Sequence, residues 1–320
     1  MLRALFMGTP DFALPAFEVM ADRTELIAVV TQPDRPQGRG LVASTPPVAV
    51  AAASRNIPVL QPDRIRKDHG FIDTLRQMAP DIIVVVAFGQ ILPQSVLDIP
   101  RLGCVNVHAS LLPRYRGAAP IQWAILRGEK ATGVTTLQMD AGMDTGPIFS
   151  QSHLEIGPDE TADRLALRLS ALGASLLSTT LSRLEEGTLS AMPQNSAEVT
   201  LAPPLAKEDG EIRWVESATA IFNRWRGCVP WPGTTTFYNG TRWKVPTLSI
   251  GSATGTAGVP GDVLCLGDCG LEVATGAGYI VLHSIQPEGK RPMTAREYAA
   301  GHPVRPGARL GRLTQEIPDG

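Results

Sequence analysis

The chain has 320 residues, 43% hydrophobic and 19% charged, with 29 basic against 31 acidic side chains and a formal net charge of −2. That is the composition of a folded globular protein with room for two domains, and it excludes a disordered chain. So even a balance offers no overall attraction for nucleic acid, and any such partner has to be held by local basic patches.

No apolar run approaches the roughly 20 residues of a membrane span. Met1 to Gly8 leads directly into a strand and turn rather than a cleavable signal, so a cytoplasmic protein is expected. Cysteines 104, 228, 265 and 269 lack the spacing of a zinc site, which predicts free thiols and no metal.

Leu2 to Met7 reads as a strand, Gly8-Thr-Pro10 as a turn, and Phe12, Leu14, Phe17 and Met20 as one face of a helix. With a second strand at Leu26 to Thr31 this is a βαβ opening of nucleotide-binding type. The first turn carries a single glycine, so the Gly-x-Gly-x-x-Gly fingerprint is missing and an NAD-dependent enzyme is disfavoured.

Gln32 to Pro47 is rich in Pro and Gly without periodicity, and is read as a long loop. Its Arg35 and Arg39 are either phosphate contacts or solvated charges. Val48 to Arg55 predicts a helix, Val59-Leu60 a strand, and Phe71 to Met78 a helix. Asp81 to Ala87 is the most apolar strand, as expected at the centre of a parallel sheet. Gln90, Ile91 and Leu92 follow at its carboxyl end, where open α/β sheets bind ligands.

Gly103 to Gly117 is the stretch around which the chain is organised. Asn106 and His108 stand two residues apart in a short apolar run, so a strand there sends both side chains from one face. Pro113 stops the ladder, and a loop with Arg114, Tyr115 and Arg116 follows. A carboxamide and an imidazole side by side suit a carbonyl oxygen that becomes an oxyanion, which points to acyl or one-carbon transfer. A core histidine with satisfied bonds is the competing reading.

Ala119 to Arg127 predicts a helix, Gly133 to Met139 a strand, and Ile148 to His153 another. Between those strands lies a Gly-rich loop with Asp140 and Asp144. Asp144 is either a turn residue bonded to its own backbone or an acid coupled to His108. Thr161 to Glu186 predicts a long amphipathic helix.

Residues 191–206 lack periodicity and read as a linker, which sets domains at 1–190 and 207–320. In the second, Ala218 to Arg226 predicts a helix, and five short strands follow: Thr234 to Tyr238, Arg242 to Pro246, Gly261 to Leu266, Leu271 to Ala274 and Tyr279 to Ile285. The fold class is therefore α/β, a Rossmann-like, mostly parallel sheet followed by a small, partly open, OB-like β-barrel.

Asn106-Val-His108, Ser110-Leu-Leu-Pro-Arg-Tyr-Arg-Gly117 and Asp140-Ala-Gly-Met-Asp144-Thr-Gly146 together resemble the formyltransferases that use 10-formyltetrahydrofolate. Among them the chain is similar to those acting on initiator methionyl-tRNA. That similarity rests on Met7 to Phe12, Thr31 to Pro36, Pro230-Trp-Pro-Gly233, Ser284 to Lys290 and Pro306-Gly307.

The resemblance implies a catalytic triad of Asn106, His108 and Asp144. It implies 10-formyltetrahydrofolate as co-substrate, bound by Ser110, Leu111, Leu112 and Pro113 and by Gln90, Ile91 and Leu92. It implies initiator methionyl-tRNA as partner, touched by Arg39, with Arg224, Arg226, Arg242 and Lys244 as further candidates on the barrel; a monomer without membrane association is expected. The corresponding loop usually continues Gly-Arg-Gly with two lysines, whereas here Leu41 to Ser44 follow. A modest salt dependence of tRNA binding is expected. The rivals are a nucleotide-sugar formyltransferase, which would lack the Pro-Trp-Pro-Gly entry, and a non-catalytic RNA-binding protein, in which His108 would be dispensable.

Overall fold

A computed structural model describes residues 1–37, 42–251 and 258–312. The chain divides into two compact units. The first holds Met1–Ile121, Ala131–Ile156 and Arg164–Pro203, and the second holds Gln122–Lys130, Gly157–Asp163 and Pro204–Gly320.

In chain order the elements up to residue 185 are β1 (Arg3–Gly8), α1 (Leu14–Arg23), β2 (Glu25–Val30), β3 (Arg35–Gln37), β4 (Val42–Ser44), α2 (Pro47–Ser54), β5 (Val59–Leu60), α3 (His69–Met78), β6 (Ile82–Val86), α4 (Gln94–Leu97), β7 (Cys104–His108), α5 (Pro120–Leu126), β8 (Ala131–Gln138), β9 (Ile148–Glu155) and α6 (Ala162–Glu185). The order of the main sheet is β5-β2-β1-β6-β7-β8-β9, and β3 and β4 form a separate two-stranded sheet. Pairing is parallel from β5 to β7 and antiparallel for β8 and β9.

The centre of this sheet follows from β6, whose residues Ile82 to Val86 are each at most 5% exposed. A run of β-branched side chains with no polar alternate position can only sit between two covering layers, and each buried Val or Ile contributes about 1.5–3 kcal/mol. β6 carries β7 beside it with Val85 opposite Asn106, so the polar pair is carried on the sheet's interior strands. β7 ends at His108, before the break expected ahead of Pro113.

The stretch Gln32 to Pro47 is not wholly irregular, because β3 and β4 pair antiparallel with Arg35 opposite Ser44. Arg39 lies outside the described residues. Helix α6, with 24 residues, is long and apolar enough by length and composition to cross a bilayer, which the run-length reading of the sequence did not count. Leu165, Leu169, Leu177 and Leu181 on it are buried, and an added methyl at Gly173 would meet Val107 and Val134, so one face lies on β7 and β8.

Residues 191–206 were expected to link domains. Met192 instead exchanges backbone hydrogen bonds of 2.8 Å with Ile148, and Arg116 and Ala202 bond at 2.7 Å, so this segment is held along the first unit up to Pro203. A segment bonded to distant backbone rather than to itself has no period to read.

The second unit contains α7 (Ala218–Gly227), β10 (Thr235–Tyr238), β11 (Thr241–Ile250), β12 (Val263–Leu266), β13 (Leu271–Ala274), β14 (Tyr279–Pro287), β15 (Met293–Thr294) and α8 (Ala295–Gly301). The antiparallel order β10-β11-β14-β13-β12, with β15 on β14, makes a half-barrel around Trp243, Ile221, Val273, Ile280 and Leu282. Residues 308–311 span its open side. Val263 donates to the Ala308 carbonyl at 2.8 Å and Gly311 to the Phe237 carbonyl at 2.8 Å, which joins the two sheet edges. Helix α8 is an addition to the predicted elements. Its start was legible, because Thr294 and Glu297 form a capping box.

Candidate active site

Strand β7 aims Asn106 and His108 at one carboxylate. The Asn106 Nδ2 donates to Asp144 Oδ1 at 3.3 Å, and His108 Nδ1 stands 3.6 Å from Asp144 Oδ2. Two side chains at i and i+2 of a strand reach the same group only if they share a face, and these do. The β8–β9 loop therefore folds back over β7 and brings its acid to the histidine.

The far ring nitrogen of His108 is committed. Nε2 lies 3.0 Å from the Tyr115 carbonyl oxygen, which can only accept, so Nε2 carries a proton and Nδ1 is the nitrogen facing Asp144. His108 and Asp144 side chains are only 7% and 13% exposed, so their interaction is shielded from solvent.

Asp144 has a left-handed backbone, φ 54°, and its Oδ2 accepts from the Gly117 N–H at 2.9 Å. The turn-forming role belongs to its neighbour. Asp140 Oδ1 accepts from Gly142 N at 3.1 Å and from the Thr145 hydroxyl at 2.6 Å, which closes the loop locally and leaves Asp144 to face β7. Asn106, Leu137, Met139 and Asp144 line a small cleft at this point.

Ser110 to Pro113 form a loop held by its own bonds and by β8. The Ser110 hydroxyl donates to the Arg114 carbonyl at 2.6 Å, and Leu112 is 3% exposed in a cluster with Leu137 and Ile148. Thr135 binds the loop from β8, its hydroxyl donating to the Ser110 carbonyl at 2.6 Å and accepting from Leu112 N at 3.1 Å. Leu111 is half-buried and Pro113 buried. These residues hold the loop that carries the Tyr115 carbonyl and the Gly117 N–H.

Gln90, Ile91 and Leu92 separate from one another. Leu92 is 4% exposed within the core beside β6. Gln90 is spent on the loop after β5, accepting from Ile65 N at 2.9 Å and donating to the Pro62 carbonyl at 3.0 Å. Ile91 is exposed. With Gln90 it lines a cavity of about 400 Å³ whose other walls are Arg64, Arg66 and Lys67. Those cations were missed in sequence, because they lie in a stretch read only as connection.

On the half-barrel, two of the proposed tRNA contacts are already engaged. Arg224 is 9% exposed and binds Glu216 at 2.7 Å and the Asp209 carbonyl at 2.7 Å. Arg226 is 5% exposed and donates to Asn223 Oδ1 at 2.9 Å and the Gly157 carbonyl at 3.0 Å, and its burial holds its pKa below the usual range. Both hold their own unit together. Arg242 and Lys244 on β11 remain as candidates, half-buried and exposed respectively.

Cys104, at the start of β7, is 1% exposed, and burial pushes its thiol up to about 12, so no thiolate nucleophile is available there at neutral pH. Among the described residues no three His, Cys, Asp or Glu side chains converge to hold a metal ion.

The profile of the formyl transferase family matches residues 5–181, and that of the formyl transferase C-terminal domain matches residues 204–303. The methionyl-tRNA formyltransferase of Geobacter metallireducens is 49% identical over 97% of this chain and 99% of its own length. That of Acetivibrio thermocellus is 47% identical over 97% of this chain and 100% of its own. The chain belongs to the methionyl-tRNA formyltransferase family.

Methionyl-tRNA formyltransferases are enzymes of one-carbon transfer, and the two-part architecture is shared more widely among formyltransferases. An N-formyltransferase from Helicobacter canadensis, solved with folinic acid and dTDP-3-aminofucose, superposes with a TM-score of 0.68 at 18% identity over 90% of this chain and 100% of its own. At that identity the likeness is one of fold. Family membership overrides the NAD-dependent and non-catalytic alternatives.

Proposed function

We propose that this enzyme, in the cytoplasm, moves the formyl group from N10 of 10-formyltetrahydrofolate to the methionine amine of initiator methionyl-tRNA, with Asn106, His108 and Asp144 as its catalytic residues. The observation that carries the assignment of residues is the convergence of Asn106 and His108 on one shielded carboxylate, in a chain of this family.

The neutral amine attacks the formyl carbon, the carbonyl oxygen becomes an oxyanion, and the carbon–N10 bond then breaks. One proton leaves the attacking nitrogen and one arrives at N10, so the step balances without an outside acid or base. Asn106 offers its amide N–H to the oxyanion. His108, whose Nε2–H is held by the Tyr115 carbonyl, turns Nδ1 toward Asp144 and the developing oxyanion. Asp144 orients His108 and relays the proton from amine to N10.

The folate lies across the carboxyl end of β6, over the loop Ser110 to Pro113 and against Ile91. Arg64, Arg66 and Lys67 around the adjoining cavity suit the carboxylates of its glutamate tail. Arg39, with Arg242 and Lys244, contacts the tRNA.

The test is formyl transfer from 10-formyltetrahydrofolate to initiator methionyl-tRNA, elongator methionyl-tRNA and free methionine. Transfer confined to the initiator is expected. Absence of transfer to all three, with folate still bound, overturns the acceptor assignment and directs attention to amino sugars.

A further inference from the structure

The carboxamide of Gln194 uses its whole bonding capacity on the two loops of the site. Nε2 donates to the Asp144 carbonyl at 2.8 Å and to the Gly146 carbonyl at 2.7 Å. Oε1 accepts from Arg116 Nε at 3.1 Å and from its terminal nitrogen at 2.7 Å. Both N–H donors and both lone pairs are thereby satisfied, which only a glutamine of this length does here.

The two loops are the ones that orient the reacting pair. The first supplies the Tyr115 carbonyl to His108 and the Gly117 N–H to Asp144, and the second supplies Asp144 itself. Gln194 is fixed from outside the site. Met192 is paired to Ile148, and Thr200 receives the Tyr115 N–H on its hydroxyl at 2.8 Å while its carbonyl accepts from Arg116 N at 2.9 Å.

We propose that Gln194 is a positioning residue for formyl transfer, locking the Arg116 loop to the Asp144 loop and so setting Asp144 against His108. The proposal rests on the assignment of Asp144 and His108 to the chemistry.

Gln194→Glu is the decisive variant, because it keeps the shape and the pairing with Arg116 but sets a carboxylate oxygen against two carbonyls. A displacement of about 1 Å at the site costs on the order of 100-fold in rate. Gln194→Glu and Gln194→Ala are therefore expected to lower kcat about 100-fold, with KM for folate and tRNA nearly unchanged. Thermal melts identify any variant that fails to fold, and should Gln194→Ala fail, Gln194→Glu carries the test.

The same substitutions are then made in an Asp144→Asn background and read in single turnover. If Gln194 acts through Asp144, its loss adds no more than about twofold there, whereas independent effects multiply. A wild-type kcat in the single variants, a rise in KM alone, or full additivity with Asp144→Asn overturns the proposal. Wild-type activity in Asp144→Asn itself would instead overturn the catalytic assignment, so the two failures are distinguishable.

Discussion

His108 Nδ1 and Asp144 Oδ2 face each other at 3.6 Å while the opposite ring nitrogen of His108 is bonded to a backbone carbonyl. Asp144→Asn removes the charge with little change of shape, because the Asn106 amide can rotate and accept where it now donates. Acid–base and charge-stabilising groups contribute about 10²–10⁴-fold in rate. The expected result is a fall in kcat of that order with folate affinity retained, measured by single-turnover formylation beside equilibrium folate binding. A kcat within twofold of wild type would remove Asp144 from the chemistry.

Gly146 tests how tightly the Asp144 loop is built. A Cβ there would lie 1.8 Å from the Gln138 carbonyl oxygen, a backbone atom that cannot swing aside. Gly146→Ala should displace the loop and lower kcat by on the order of 100-fold, beyond any loss of folded protein. Gly187, just past α6, is the control. It has φ 67° with nothing within 4 Å of its added Cβ, so Gly187→Ala costs about 1–2 kcal/mol of stability through its backbone alone and leaves kcat unchanged. Comparable kcat losses in both variants would show that global destabilisation, not the loop, was being read.

Asp81, just before β6, predicts a stability that depends on pH. It accepts from the Arg3 backbone N–H at 3.0 Å and from Arg101 Nε at 2.7 Å, and these bonds, the backbone one foremost, hold its carboxyl below the usual range. A folded-state pKa below the unfolded value of about 3.9 stabilises the protein above that value. The contribution is fully present above the unfolded value and disappears as pH falls below it through the folded-state pKa. Asp81→Asn is expected to melt earlier than wild type at pH 7 and together with it in strong acid. A difference that stays constant with pH would show that packing, not charge, is at stake.

Much of this protein was legible because local chemistry decides it. Val84 and its neighbours cannot be placed anywhere but a buried central strand, and spacing alone puts Asn106 and His108 on one face. Tertiary structure decided the rest. That Asp144 rather than Asp140 meets the histidine depends on which carboxylate closes its own turn. Arg224 and Arg226 look like surface cations in sequence, yet burial and carbonyl partners make them internal ties. Gln194 lies in a stretch with no period, since its partners are more than 40 residues away and leave no local pattern. Periodicity records which face a residue shows to the core, and so the sequence alone determined the strands and the facing pair. It carries no record of which distant loop a side chain will bond, and only the folded chain decided how that pair is held.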